Sequence, residues 1–209
     1  MIAIVDYGLG NLRSAQKGLE KAGADAVITD DPARIAAADA VVLPGVGAFK
    51  DCYDGLASRG LVDPVLDAAA SGRPFLGICV GLQLLFEGSD EGEGSRGLGV
   101  FSGRVVRFPD LRPRGLKVPH MGWNRVRPVA PGACPLIRNG AAPYAYFVHS
   151  YYAQPADPSL VLATSEHGVE FPAIVGRDNV LAVQFHPEKS QGAGISILRA
   201  FAELVEEGR

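Results

Sequence analysis

The strongest constraint on how this chain can fold is a series of short apolar runs in its first eighty or so residues, each closed by a turn signal and separated by stretches with helical spacing. They run from Ile2 to Asp6, over Val27-Ile28-Thr29, from Asp39 to Leu43 ahead of Pro44-Gly45, and from Pro74 to Ile78, straight into Cys79. Runs apolar at nearly every position belong to strands buried on both faces, as in a parallel sheet covered by crossover helices. Between the first two, Leu12, Ala15, Leu19 and Ala22 recur on one face of a helix predicted from about Leu12 to Ala22. The Gly- and acid-rich stretch from Glu87 to Gly99 reads as an exposed loop. Beyond about Leu98 the pattern becomes meander-like, with strands predicted over Val100 to Phe108, Tyr144 to Tyr152, Leu160 to Ser165, Phe171 to Gly176 and Val180 to Gln184. A final helix from about Ala193 carries Ile195, Leu198, Phe201 and Val205 on one face. There is no internal repeat and no Pro/Gly-rich linker. The expected architecture is one α/β domain over residues 1–209, with a mostly parallel central sheet flanked by helices and antiparallel strand additions.

Charge and cysteine usage narrow the function. Twenty Lys and Arg against 23 Asp and Glu leave a net charge of -3, so no overall basic excess exists to neutralise a phosphate backbone, and nucleic acid is not an expected partner. No apolar run approaches the roughly 20 residues that cross a bilayer. Met1 opens directly onto a core strand with no basic n-region or cleavage site, so a cytoplasmic protein is expected. Cys52, Cys79 and Cys134 show no Cys-x-x-Cys spacing, which argues against a disulfide framework and a zinc site.

Gly77-Ile78-Cys79-Val80-Gly81 has the Gly-x-nucleophile-x-Gly form of a nucleophile elbow with Cys in the place of Ser. A following helix would present its unpaired N–H groups and positive dipole end to the thiolate. The bland alternative is a small buried hydrophobe, a common fate of free Cys. A second element lies in Phe185-His186-Pro187-Glu188. The residue before proline is driven to extended dihedrals, and residues two apart on an extended segment point the same way, so His186 and Glu188 can face one site. A carboxylate on one ring nitrogen leaves the other to exchange the thiol proton, giving a Cys79, His186, Glu188 triad. Alone, His186 reads as a packed histidine and Glu188 as a solvated acid.

With these residues the chain resembles the class I (triad-type) glutamine amidotransferases, and within them the family of glutaminase subunits of imidazole glycerol phosphate synthase. Asp6-Tyr7-Gly8-Leu9-Gly10-Asn11-Leu12, Leu43-Pro44-Gly45-Val46-Gly47, the Cys79 segment through Leu85, Pro119-His120-Met121-Gly122-Trp123-Asn124, His149-Ser150-Tyr151-Tyr152 and Phe185-His186-Pro187-Glu188-Lys189-Ser190 follow the family's motifs in order. The resemblance implies a flavodoxin-like fold and hydrolysis of L-glutamine to glutamate and ammonia through a thioester on Cys79. It implies an oxyanion hole from main-chain N–H groups at Val80 and Val46, with the Gly45-Val46-Gly47 peptide reorienting to complete it. Gly47, Gln83, Glu91, Ser150 and Tyr151 would hold the substrate. Gln83 also lies one helical turn beyond Cys79 on the same face, whereas Glu91 alone reads as a solvated loop residue.

The resemblance further implies a heterodimer with a cyclase subunit, a (β/α)8 barrel that uses the ammonia to form imidazole glycerol phosphate and an aminoimidazole carboxamide ribonucleotide in histidine biosynthesis, with Asn11 and Trp123 on the partner face. Chemistry points the same way, because ammonia released into neutral water becomes non-nucleophilic ammonium and this chain leaves no room for the roughly 100 residues of an acceptor domain. Trp123, the only tryptophan, sits in a loop-like segment where an aromatic often anchors an interface. From Arg96 to Arg127 eight basic residues face one acid, Asp110, which makes either a basic face or scattered solvated charges. Gly8-Leu9-Gly10 lacks the third glycine of a dinucleotide fingerprint, which would fall at Arg13, so no nicotinamide cofactor is expected. His120, His149, His167 and His186 show no metal-ligand spacing, and no metal or other cofactor is expected. Cys52 and Cys134 read as passive thiols. Rival readings at this point are a glutaminase subunit with another acceptor, such as that of anthranilate synthase, a non-catalytic interaction module, or a cysteine peptidase on the same architecture.

Overall fold

The computed structural model describes residues 1–92, 94–138 and 141–208. The apolar runs form the middle of an eight-stranded sheet. β1 (Ile2–Val5), β2 (Ala26–Thr29), β3 (Ala40–Gly45) and β4 (Phe75–Cys79) pair in parallel in the order β2-β1-β3-β4. After β4 the sheet continues through β13 (Val180–Val183), still parallel, then antiparallel through β12 (Glu170–Arg177), β11 (Val161–Glu166) and the two-residue β8 (Arg127–Pro128). Every residue of β1, β3, β4 and β13 is buried, as strands covered on both faces require. The covering helices are α1 (Leu12–Lys21), α2 (Pro32–Ala37), α3 (Phe49–Ser58), α4 (Val62–Ala70), α5 (Val80–Leu84) and α6 (Gln191–Glu207). α6 turns Leu198, Phe201 and Val205 into the core as the spacing predicts, together with Ile197, while Ile195 is only partly buried against it.

Two small sheets carry the antiparallel additions. β5 (Phe86–Ser89), β6 (Phe101–Arg107) and β10 (Tyr151–Pro155) form one, in the order β10-β6-β5, and β7 (His120–Arg125) pairs with β9 (Tyr144–His149) in a two-stranded ribbon. Three local expectations are corrected by this arrangement. The segment from Tyr144 to Tyr152 is two strands, because the chain changes sheets at Ser150, whose carbonyl accepts from Phe108 N–H at 3.0 Å. The stretch from Glu87 begins as strand, not loop: Phe86 to Ser89 run parallel to β6, and Ser89, Ser95 and Leu98 are buried. Trp123 lies on β7, where burial alternates residue by residue, so its loop-like surroundings in sequence conceal a strand of period two.

Of the eight basic residues from Arg96 to Arg127, five have partners within the chain. Arg104 pairs with Asp90, Arg112 with Asp110 and Arg127 with Glu166, while Arg114 donates to the Gly168 carbonyl and Arg96 lies over the Tyr53 ring. The three ion pairs are exposed, and such pairs contribute little net stability.

Candidate active site

β4 ends at the elbow. Cys79 has φ 56° and ψ -111°, a left-handed backbone that a non-glycine residue adopts only under strain, and it precedes α5 directly. The turn is possible because its flanks carry no side chains: a Cβ on Gly81 would stand 1.9 Å from the Leu43 carbonyl oxygen, and one on Gly77 would stand 2.9 Å from that of Gly81. On the neighbouring strand a Cβ on Gly45 would meet Gly81 N at 2.7 Å. The glycines of both motifs therefore press the end of β3 against the elbow, bringing Val46 and Gly47 beside Cys79. Tyr7 Oη donates to the Pro44 carbonyl at 2.6 Å, and the Cys52 thiol donates to the Val46 carbonyl at 3.3 Å. Burial pushes the Cys52 thiol up to about 11, so it stays a neutral donor. α5 has only five residues, which leaves a smaller dipole than the sequence pattern suggested.

β13 delivers the second group. His186 follows it in extended conformation, as the proline after it demands, but Pro187 then opens a 3-10 turn over Pro187–Lys189. Glu188 thus reaches His186 around one tight turn and not along an extended segment. Its Oε1 lies 2.8 Å from His186 Nδ1, and both side chains are 2% exposed. The other carboxylate oxygen, Oε2, is buried with no hydrogen-bond partner among the described residues. Burial lowers the His186 pKa, but hydrogen bonding and charge from Cys79 and then Glu188 outweigh it and hold the ring up at about 9. The main chain of His186 is anchored as well: its backbone N–H donates to the Tyr146 carbonyl at 2.9 Å, and Ser190 Oγ donates to its carbonyl at 2.6 Å.

A cavity of about 350 Å³ opens in front of this pair. Val46, Gly47, Cys79, Val80, Gln83, Glu91, Ser150, Tyr151 and His186 line it, together with Pro119, Val148, His149 and Lys189. Residues read from five separate segments of the sequence thus converge on one concave site. Glu188 stands behind His186, and Asn11 lies on a crevice beside Glu188 and Val46. Trp123 is away from the cavity lining, on the outer face of the ribbon with Met121 and Tyr144. Among the described residues there is no group of His, Cys, Asp or Glu arranged to hold a metal ion.

The class-I glutamine amidotransferase profile matches residues 3–204, nearly the whole chain. The chain belongs to that family. It is 55% identical over 208 residues to the imidazole glycerol phosphate synthase subunit HisH of Syntrophotalea carbinolica, covering 98% of this chain and 100% of that one. To the subunit of the same name from Synechococcus elongatus it is 55% identical over 206 residues, covering 98% and 93%. Among solved structures, a glutamine amidotransferase superposes with a TM-score of 0.76 at 20% identity, over 99% of this chain and 100% of that one. A Trypanosoma brucei CTPS glutaminase domain with bound acivicin superposes with a TM-score of 0.68 at 17% identity, over 97% and 93%.

Sequence reasoning passed over Gln184 and the bonds that fix Gln83 and Glu91. Gln184 is fully buried, accepts from Gln83 Nε2 at 3.1 Å and places its own Nε2 3.9 Å from Cys79 Sγ. Its signal was available, as a buried polar residue two before His186 on the same strand edge. Gln83 Nε2 donates also to the Tyr151 carbonyl at 3.1 Å. With both amide hydrogens committed, Oε1 is what Gln83 offers a ligand. Glu91 is not a free surface acid: its Oε2 accepts the Phe49 N–H at 2.8 Å, holding the carboxylate at the cavity edge.

Proposed function

We propose that this chain is the glutaminase subunit of an imidazole glycerol phosphate synthase, one amidotransferase domain over residues 1–209, acting in the cytoplasm on L-glutamine. The observation that carries the reading is the cavity itself, where a nucleophile on a strained elbow, a histidine tied to a buried carboxylate, and a cluster of acceptors able to hold an ammonium group converge. The identity with HisH subunits supports the choice among acceptor systems. Among the described residues no helix is long and apolar enough to cross a membrane.

Glu91 and Gln83 Oε1 receive the α-ammonium of glutamine, orienting its side-chain amide toward Cys79. The Cys79 thiolate attacks the amide carbon while His186 carries the thiol's proton, and Glu188 stabilises the resulting imidazolium. The negative oxygen of the tetrahedral intermediate is met by main-chain N–H groups of Val80 and Val46. His186 gives its proton to the leaving nitrogen, the C–N bond breaks, and ammonia departs from a thioester. Water then loses a proton to His186 and attacks the thioester, and the proton returns to sulfur as glutamate leaves. The reaction needs no cofactor. The ammonia passes to the cyclase subunit, a (β/α)8 barrel that forms imidazole glycerol phosphate and an aminoimidazole carboxamide ribonucleotide in histidine biosynthesis. The partner docks on Asn11 and the Trp123 ribbon.

The test is glutamate release from glutamine by the purified chain alone, then with the cyclase subunit and its nucleotide substrate. Stimulation by both, lost in Cys79→Ala, is expected. Turnover indifferent to the cyclase would assign another acceptor, and no turnover in any mixture would overturn the enzymatic reading.

A further inference from the structure

Three histidines with no part in these steps lie together beneath the β7–β9 ribbon. His149 is buried and its Nδ1 is 2.8 Å from the Tyr151 carbonyl, which can only accept, so Nδ1 carries the hydrogen. Burial, opposed by that bond, brings His149 down to about 3, so the ring is neutral and its Nε2 accepts. His120 Nδ1 stands 3.0 Å from this nitrogen and must donate to it, with burial first and then His167 lowering its pKa to about 4. His120 Nε2 in turn accepts from Asn124 Nδ2 at 3.1 Å. Asn124 has no freedom to flip its amide, because Nδ2 also donates to the Glu166 carbonyl and Oδ1 accepts from Arg125 N–H. His167 stacks on His120 with ring centres 4.3 Å apart and fixes its plane.

From Asn124 through His120 to His149, each ring N–H of the relay points on toward the cavity. The relay ends on the Tyr151 carbonyl, the same oxygen that captures an amide hydrogen of Gln83. The surroundings are aromatic, with Phe108, Phe147 and Phe171 packed against His120 and His149. Two imidazoles in such a place cost desolvation unless their hydrogen bonds are all made, and here they are made in one direction only.

We propose that His149, backed by His120 and Asn124, is a positioning residue for glutamine binding: it holds the Tyr151 carbonyl where it captures Gln83, keeps Gln83 Oε1 turned to the cavity, and ties that orientation to the exposed ribbon. The proposal deepens the reading of Gln83 as a substrate-binding residue and rests on it. His149 makes its hydrogen bonds to the Tyr151 carbonyl and to His120, and none to Cys79 or His186 among the described residues, so its effect is expected in binding rather than in chemistry.

Kinetics of the chain in complex with the cyclase subunit test it. His149→Leu raises the glutamine KM about fivefold to tenfold, the worth of one neutral hydrogen bond, with kcat within about twofold. His149→Gln, whose amide can donate to Tyr151 and accept from His120, returns KM to within about twofold of the parent. In a Gln83→Ala background His149→Leu has no further effect, since it acts through Gln83. An unchanged KM in His149→Leu, equal losses in the Gln and Leu variants, or independent effects in the double variant overturn the proposal. Should His149→Leu fail to fold, nitrogen NMR of the unmodified full chain decides: both His120 and His149 are neutral Nδ1–H tautomers, and an Nε2–H tautomer or imidazolium at either refutes the relay. Absence of glutamine turnover in the unmodified complex would instead refute the functional reading, leaving the tautomers to judge the relay alone.

Discussion

Glu188→Gln isolates the charge behind His186 while keeping the shape of the side chain. In the native protein the ring, held up at about 9, gains protons that the unfolded chain, titrating near 6.5, has already lost. Protonation therefore stabilises the fold. The contribution is full below about pH 6.5 and is lost as the pH rises through about 9, and at about 1.4 kcal/mol per pH unit it amounts to about 3 kcal/mol. Glutamine at 188 can still accept the Nδ1–H, but it brings no charge to offset burial, which by itself lowers the ring's pKa. Urea unfolding followed by circular dichroism at intervals from pH 6 to pH 9 should show the parent losing at least about 1 kcal/mol more than Glu188→Gln across that window. An NMR titration of the ring should show its midpoint falling in the variant. Glutamine turnover should drop at least about 100-fold, as when a neutral amide replaces a triad carboxylate. Parallel stability curves and an unmoved midpoint would show that Glu188 does not carry the imidazolium, and the electrostatic argument would fail.

Gly81→Ala forces a Cβ to within 1.9 Å of the Leu43 carbonyl oxygen, a backbone atom that cannot swing aside. We expect a loss of about 3 kcal/mol or more in urea unfolding, and a loss under about 1 kcal/mol would mean the elbow and β3 can separate freely. Glu91→Gln keeps an acceptor for Phe49 N–H but removes the charge, so the glutamine KM should rise about tenfold with kcat little altered; an equal loss in kcat would place Glu91 in the chemistry instead. Trp123, 46% exposed and edge-on to Tyr146, should cost at least about tenfold in affinity for the proposed cyclase subunit when cut to Ala, with the melting temperature unchanged. Undiminished binding by titration calorimetry would move the docking face elsewhere.

Much of the fold and the site is legible in the sequence, and the legible parts share a cause. The strands around Ile4, Val42, Leu76 and Ala182 announce themselves because two-sided burial demands unbroken apolar residues. Cys79 is marked by its flanking glycines and His186 by the proline after it, both short-range steric constraints. The departures are local too. Pro187 opens a 3-10 turn where the residue pattern predicts an extended segment, and a hidden strand alternation places Trp123 on a ribbon and not in a loop.

What the sequence determined by itself is the strands buried on both faces, the elbow at Cys79, the extended His186 before its proline, and the glycines that let two strand ends touch. Only the tertiary structure decided what meets them: Gln184 with Cys79, separated by 105 positions, Gln83 with Tyr151 by 68, and His120 with His149 by 29. Steric rules between chain neighbours act within a few residues and leave their mark in short motifs. A hydrogen bond across the molecule exists only once strand order and register have brought its partners together, and no local pattern records that.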